Sequence, residues 1–198
     1  MALFNDNLVY STENRQIMKL KLNEEKPKEY GKVSFLTVPF HTQPITAIAT
    51  CLKRHLVVTA SKDKTIRVWS YHSSSSMMTL EICSTMYDDV AAMALHPSGN
   101  YLLASFANAV QFFNIYPRRL EKYHELSINA CNEIKFTTQG HLVAIQNRGE
   151  VHVYRFFTAE LPSNYIFAWH SGSVKSITWN EDDTGFVTTA IDNSIAVW

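Results

Sequence analysis

The chain has 198 residues, with 18 basic and 18 acidic side chains and no net charge, which removes the usual electrostatic warrant for nucleic acid because no strong positive field gathers phosphates. Charged residues make up 18% and aromatics 12%, a low-charge, aromatic-rich balance that reads as β-rich rather than disordered or coiled coil. No apolar run approaches the ~18–20 residues of a membrane span.

The N-terminal stretch MALFNDNLVYSTENRQ lacks a basic flank and carries Asp6, so it reads as no secretory signal. Leu8–Ser11 and the alternating run Ile17–Leu22 read as strands, followed by a polar loop with Pro27 and Gly31 and a strand over 33–38. Four β units follow. The first places strands at 45–51, 56–61, 66–71 and 78–83, with Ser73–Ser76 as a flexible insertion. The second places them at 90–95, 101–106, 110–116 and 123–128. The third places them at 132–137, 142–145, 151–157 and 165–169. The last has 174–179, 186–190 and 194–198. Cys51, Cys83 and Cys131 are far apart and odd in number, which fits buried thiols in a reducing compartment.

The units are copies of one another. His41–Trp69 (HTQPITAIATCLKRHLVVTASKDKTIRVW) returns as His170–Trp198 (HSGSVKSITWNEDDTGFVTTAIDNSIAVW) at an offset of 129 residues, or three units of 43. Such a period is the expected length of a four-stranded propeller blade, ~40–45 residues. Bulky third-strand residues recur at Trp69, Phe113, Tyr154 and Trp198, and glycines recur in the first hairpin turns at Gly99, Gly140 and Gly185. The fold class is therefore all-β: a β-propeller of about four and a half blades of four antiparallel strands, incomplete or a fragment. Residues 1–40 are a partial blade, 41–84, 85–128 and 129–169 are blades, and 170–198 is a blade lacking its last strand.

One polar constellation stands out: His41, Thr59, Asp63 and Trp69. Thr, His and Asp could be nucleophile, base and orienter. The alternative is a structural network linking loop to sheet, with the indole N–H given an acceptor. The copy favours the network, since His170, Thr188, Asp192 and Trp198 repeat the set. A catalytic site is needed once, a fold-stabilising device once per blade. The middle blades have Thr85 and Leu126 in place of His, and Ala107 and Arg148 in place of Asp. They are expected to rely on apolar packing alone and to be less rigid. Neither HExxH nor CxxC spacing occurs, the glycines are isolated, and so no metal or cofactor is implied and no catalytic residue is assigned. His152 reads as an ordinary strand residue. Asp88-Asp89 and Glu181-Asp182-Asp183 read as solvated turns, and Arg118-Arg119 as a loop charge pair.

The motifs SKDKTIRVW and AIDNSIAVW, with the preceding histidines, resemble the WD-repeat β-propeller family over about residues 8–198. The run from TLEICSTMYDDVAAMALHPSG, with Cys131 and GHLVA at 140–144, is similar to the cilia- and flagella-associated WD-repeat proteins of the axoneme. That resemblance implies a non-catalytic scaffold in the cilium or flagellum, contributing to dynein-arm assembly or regulation. The implied partners are axonemal dynein-regulatory or microtubule-associated proteins, with no nucleic acid and no membrane. The alternative is a cytosolic WD-repeat adaptor of a ubiquitin ligase or signalling complex. Either would use a rigid loop face. One face is expected to present Gln43, Lys62, Asp89 and Ser173; the other the Ser73–Ser76 loop, Asn100, Arg118 and Asp183.

Overall fold

The computed structural model describes residues 2–4, 7–11, 17–21, 33–35, 40–72, 75–158, 160–162 and 165–198. Every regular element among them is a β-strand. They fall into two compact units, Met1–Pro44 and Ile45–Trp198. In the first unit β1 (Ala2–Phe4), β2 (Asn7–Ser11), β3 (Ile17–Lys21) and β4 (Val33–Phe35) form one antiparallel sheet in chain order, sheet I. Ala2 pairs with Val9, Tyr10 with Met18 and Leu20 with Val33. The three-residue β1 is too short for alternation to reveal it. The expected strand ends at Leu22 and at 36–38 lie outside the described residues.

The second unit holds four antiparallel sheets, each with its strands in chain order. Sheet II contains β5 (Ile45–Cys51), β6 (Leu56–Ser61), β7 (Thr65–His72) and β8 (Ser75–Thr85). Sheet III contains β9 (Ala92–Leu95), β10 (Tyr101–Ser105), β11 (Val110–Tyr116) and β12 (Arg119–Leu126). Sheet IV contains β13 (Ile134–Phe136), β14 (Leu142–Asn147), β15 (Glu150–Arg155) and β16 (Ile166–Ala168). Sheet V has three strands, β17 (Val174–Trp179), β18 (Phe186–Ala190) and β19 (Ile195–Val197).

Two expectations shift. Of the expected Ser73–Ser76 insertion, residues 73–74 lie outside the described set, and Ser75 and Ser76 belong to β8, with Ser75 paired to His72 in the β7–β8 ladder. Ladder pairing carries these serines into a strand that their propensity alone would not suggest. Arg119 likewise begins β12, paired with Tyr116, rather than sitting in a loop.

The core explains the strand sequences. β6, β10 and β14 read LVVTAS, YLLAS and LVAIQN, nearly continuous apolar runs. Such runs fit strands covered on both faces. Leu102 and Ala104 pack with Val58, Ile66 and Val68 of sheet II, while Leu103 between them packs with Ile134, Val143 and Ile145 of sheet IV. Val151 and Val153 then meet Val174, Ile177 and Phe186 of sheet V. The outer strand β12 instead alternates, with Glu121 and Tyr123 exposed. Charge on an outer strand blunts edge-to-edge pairing. This corrects one cysteine expectation: Cys51 and Cys131 are buried, but Cys83 is exposed, because β8 is the outermost strand of sheet II.

The recurring hairpin glycines divide. Gly99 and Gly140 have φ of 74° and 82°, the left-handed region glycine adopts freely. Gly185 does not; it is there for close approach, since a Cβ would lie 2.4 Å from the Trp198 carbonyl oxygen. The left-handed residue of that turn is Asp183, at φ 57°.

Candidate interaction face

Sheet V assembles its polar set into a chain. Trp198 donates its indole N–H to Thr188 Oγ1 at 3.0 Å. Thr188 Oγ1 lies 2.7 Å from His170 Nε2, and His170 Nδ1 lies 2.8 Å from Ser194 Oγ. The Ser194 hydroxyl donates to Asp192, which also accepts the backbone N–H of Ser194 at 3.1 Å and of Ser171 at 2.9 Å. With the proton on Nδ1, the Thr188 hydroxyl donates to His170 Nε2 and each group in the run finds a partner. The Ser194 hydroxyl is the main reason the Asp192 carboxyl is held far below its usual range; desolvation opposes it, and the two backbone N–H groups and nearby His170 assist. The side chain of His170 is 1% exposed and Thr188 fully buried.

Sheet II builds the corresponding contacts. Trp69 donates to Thr59 Oγ1 at 2.9 Å. Asp63 accepts the Thr65 hydroxyl at 2.6 Å and its N–H at 3.0 Å. His41 is half-buried and belongs to the first unit. Sequence reasoning missed Thr65 and Ser194, although the signal was present: each is a hydroxyl two residues after the aspartate, at the same 129-residue offset.

Contrary to the expectation from sequence, the middle sheets do not rely on apolar packing alone. The Ser105 hydroxyl donates to the Cys131 carbonyl. Gln146, fully buried, accepts the Asn132 N–H at 2.7 Å and donates to Ser173 Oγ at 2.8 Å and Arg148 O at 3.2 Å. Ser105 is the last residue and Gln146 the last but one of the second strand of its sheet, close to where the next turn begins. Burial raises the Cys131 thiol to about 11, hydrogen bonds from neighbours opposing it only in part, so it stays protonated near neutral pH. His152 lies 2.8 Å from Glu150.

The two loop faces differ. On one, the first-hairpin turns are tied to their neighbours. Arg54 donates to Gly99 O at 2.9 Å and Asn100 Oδ1 at 2.8 Å. His96 Nε2 lies 3.0 Å from Gly140 O. Asp183 accepts the Thr138 and Gln139 N–H groups and the Thr138 hydroxyl. Asp183 is thus an inter-sheet tie rather than a solvated turn residue, and Asn100 is likewise engaged; Arg118 is exposed. On the other face, Lys62 and Asp89 are exposed, and Ser173 is half-buried against Gln146. Gln43 is exposed in the first unit.

The family model for the WD domain, G-beta repeat, matches residues 33–70 and 162–198, the two segments that carry the polar set. Cilia- and flagella-associated protein 57 A of Tetrahymena thermophila is 38% identical over 90% of this chain and 13% of its own length. Cilia- and flagella-associated protein 57 of Mus musculus is 30% identical over 98% of this chain and 15% of its own. The chain therefore spans a small part of these curated relatives. The crystal structure of the Cps50 (Swd1) β-propeller domain of Myceliophteria thermophila superposes with a TM-score of 0.67 at 14% identity, covering 97% of this chain and 61% of that one. At that identity the match speaks for the fold alone.

Proposed function

We propose that this chain, which carries WD repeats folded as β-propeller blades, is a non-catalytic protein-interaction scaffold of the ciliary or flagellar axoneme that contributes to dynein-arm assembly or regulation. The observation that carries the reading is similarity over 90–98% of the chain to proteins named for cilia and flagella. Chemistry supports the non-catalytic part. In sheet V the one constellation with a nucleophile, a base and a carboxylate is saturated internally: Thr188 serves Trp198 and His170, and Asp192 serves Ser194 and Ser171. The set Thr59, Asp63 and Trp69 serves sheet II in the same way, and we assign both sets, with His41 and His170, a structural role.

The interaction face we assign presents Lys62, Asp89 and Ser173 in the second unit; in the first unit we assign Gln43 the same role. Support comes from the other rim, whose turn polar groups are largely consumed in ties between sheets. The partners we assign are axonemal dynein-regulatory or microtubule-associated proteins. Fractionation tests the reading: the full-length protein should stay with axonemes after detergent extraction. Complete release into the detergent-soluble fraction would instead favour a cytosolic adaptor.

A further inference from the structure

Sheet IV departs from the repeat at the positions that form the clasp. Tyr154 matches Trp198 at an offset of 44 residues, which sets Leu126 against His170; the β14–β15 turn is shorter, so Ile145, opposite His152, stands where Thr188 stands opposite Ala196. Gln146 joins the Asn132 N–H to the Arg148 carbonyl, but the histidine-to-aspartate chain of sheet V has no counterpart here. In its place a groove of about 690 Å³ lies between Ser127–Asn129, the turn Asn147–Glu150 and the loop Ala168–Ser171.

The groove has a definite polarity. Trp169 stands 62% exposed at its edge, with a T-shaped contact to His170 at 5.4 Å. Its nearby carboxylates are engaged: Glu150 with His152 at 2.8 Å, and Asp192 with Ser171 and Ser194. The Arg148 side chain is exposed and meets no carboxylate among the described residues. Arg148 also holds φ at 57°, a left-handed conformation that asparagine or glycine would occupy with less strain. Lys64 and Asn193 hold the same left-handed conformation in their turns, each next to an aspartate; Arg148 has no such aspartate before it and stands two residues from Glu150.

We propose that this groove binds an acidic segment of a partner protein, with Asp or Glu against Arg148 and an aromatic or leucine side chain against Trp169. Guanidinium and carboxylate form the stronger, charge-assisted class of hydrogen bond, and tryptophan and arginine are both enriched among the residues that carry interface binding energy. Asn129 and Asn147 line the same groove and supply amide groups for the backbone of an extended segment. The inference rests on the scaffold reading and narrows it to one site and one ligand class. A nucleic-acid strand fits poorly, because one arginine beside Glu150 in a neutral chain does not track phosphates.

The test is selection of short random peptides on the full chain, followed by anisotropy titration of the selected peptides labelled with fluorescein. The expected peptides are rich in Asp and Glu beside an aromatic residue or leucine. Arg148→Glu and Trp169→Ala should each weaken binding about tenfold or more. Arg148→Asn should weaken it similarly while the unfolding midpoint holds or rises, separating loss of ligand from loss of fold. Binding should fall with added salt. Selected peptides without acidic bias, binding indifferent to both substitutions, or no peptide bound at all would overturn the groove. So would preferential binding of an oligothymidylate probe. Peptides lost only with Lys62→Glu would overturn the groove yet leave the scaffold reading standing; the scaffold reading falls separately, on extraction of the full-length protein from axonemes.

Discussion

Asp183 accepts two hydrogen bonds from Thr138, the backbone N–H at 2.8 Å and the hydroxyl at 2.6 Å, across 45 residues of sequence. A third reaches it from the Gln139 N–H at 2.9 Å. One carboxylate thus ties the first hairpin of sheet V to that of sheet IV, as Arg54 ties sheet II to sheet III.

This tie is pH-dependent. Desolvation pushes the Asp183 carboxyl upward, but the bonds from Thr138 and Gln139 outweigh it, and its pKa lies below the ordinary value. A depressed carboxyl stabilises the fold above its unfolded pKa, about 3.9, and loses that contribution as pH falls through the folded value. Asp183→Asn should therefore lower the unfolding free energy at pH 7, by less than about 1 kcal/mol for a partly exposed group. The difference from wild type should vanish in acid. A gap that persists unchanged at low pH would mean the carboxylate is not the tie.

Thr188→Val removes the hydroxyl that accepts from the half-buried Trp198 indole and donates to His170 Nε2. Orphaning buried polar groups costs about 1–3 kcal/mol, so the denaturant midpoint should fall by that much. Thr188→Ser, which keeps the hydroxyl, should recover most of it. Thr59→Val should cost a comparable amount through Trp69.

Gln146→Leu should be as damaging, although leucine is apolar and similar in size. It strips partners from the Asn132 N–H, the Arg148 carbonyl and the Ser173 hydroxyl, at about 1–3 kcal/mol. Equal stability of the leucine variant in chemical denaturation would restore the view that the middle sheets hold by apolar packing alone.

Gly140→Ala and Gly99→Ala separate two kinds of crowding. Both glycines have positive φ. At Gly140 a Cβ would lie 2.3 Å from Nε2 of the packed His96 ring; at Gly99 it would meet the flexible Arg54 side chain at 2.7 Å. His96 is fixed by a 28° stack on Phe156 and an edge contact with Phe136, so it has little room to yield. Gly140→Ala should lower the melting temperature clearly more than Gly99→Ala, which should cost about 1–2 kcal/mol from φ alone.

The repeat made most of this fold readable. A 129-residue offset matching His41 with His170 and Trp69 with Trp198 names the architecture, and alternation locates the strands of sheets II to V within a few residues. What stayed hidden is what depends on contact between sheets. Ser105, Gln146, Arg54 and Asp183 belong to no recognisable motif; each matters because a neighbouring sheet brings a polar group to it. Asp183 reads as a solvated turn because turns are usually solvated, and only the adjacent Thr138 turn makes it structural. Ser75 reads as loop because propensity is local, whereas its strand state comes from pairing with His72. Arg148 is legible as a departure from the repeat, but the groove beside it appears only once Trp169 is placed.

The most direct measurement compares the two loop faces in cells lacking the endogenous protein. Full-length Lys62→Glu and Arg118→Glu variants, both at exposed positions, would be expressed to equal levels and followed into detergent-extracted axonemes. If the Lys62 face carries the partner, Lys62→Glu should fail to incorporate while Arg118→Glu incorporates normally. Normal incorporation of Lys62→Glu, or failure of Arg118→Glu alone, would contradict that assignment.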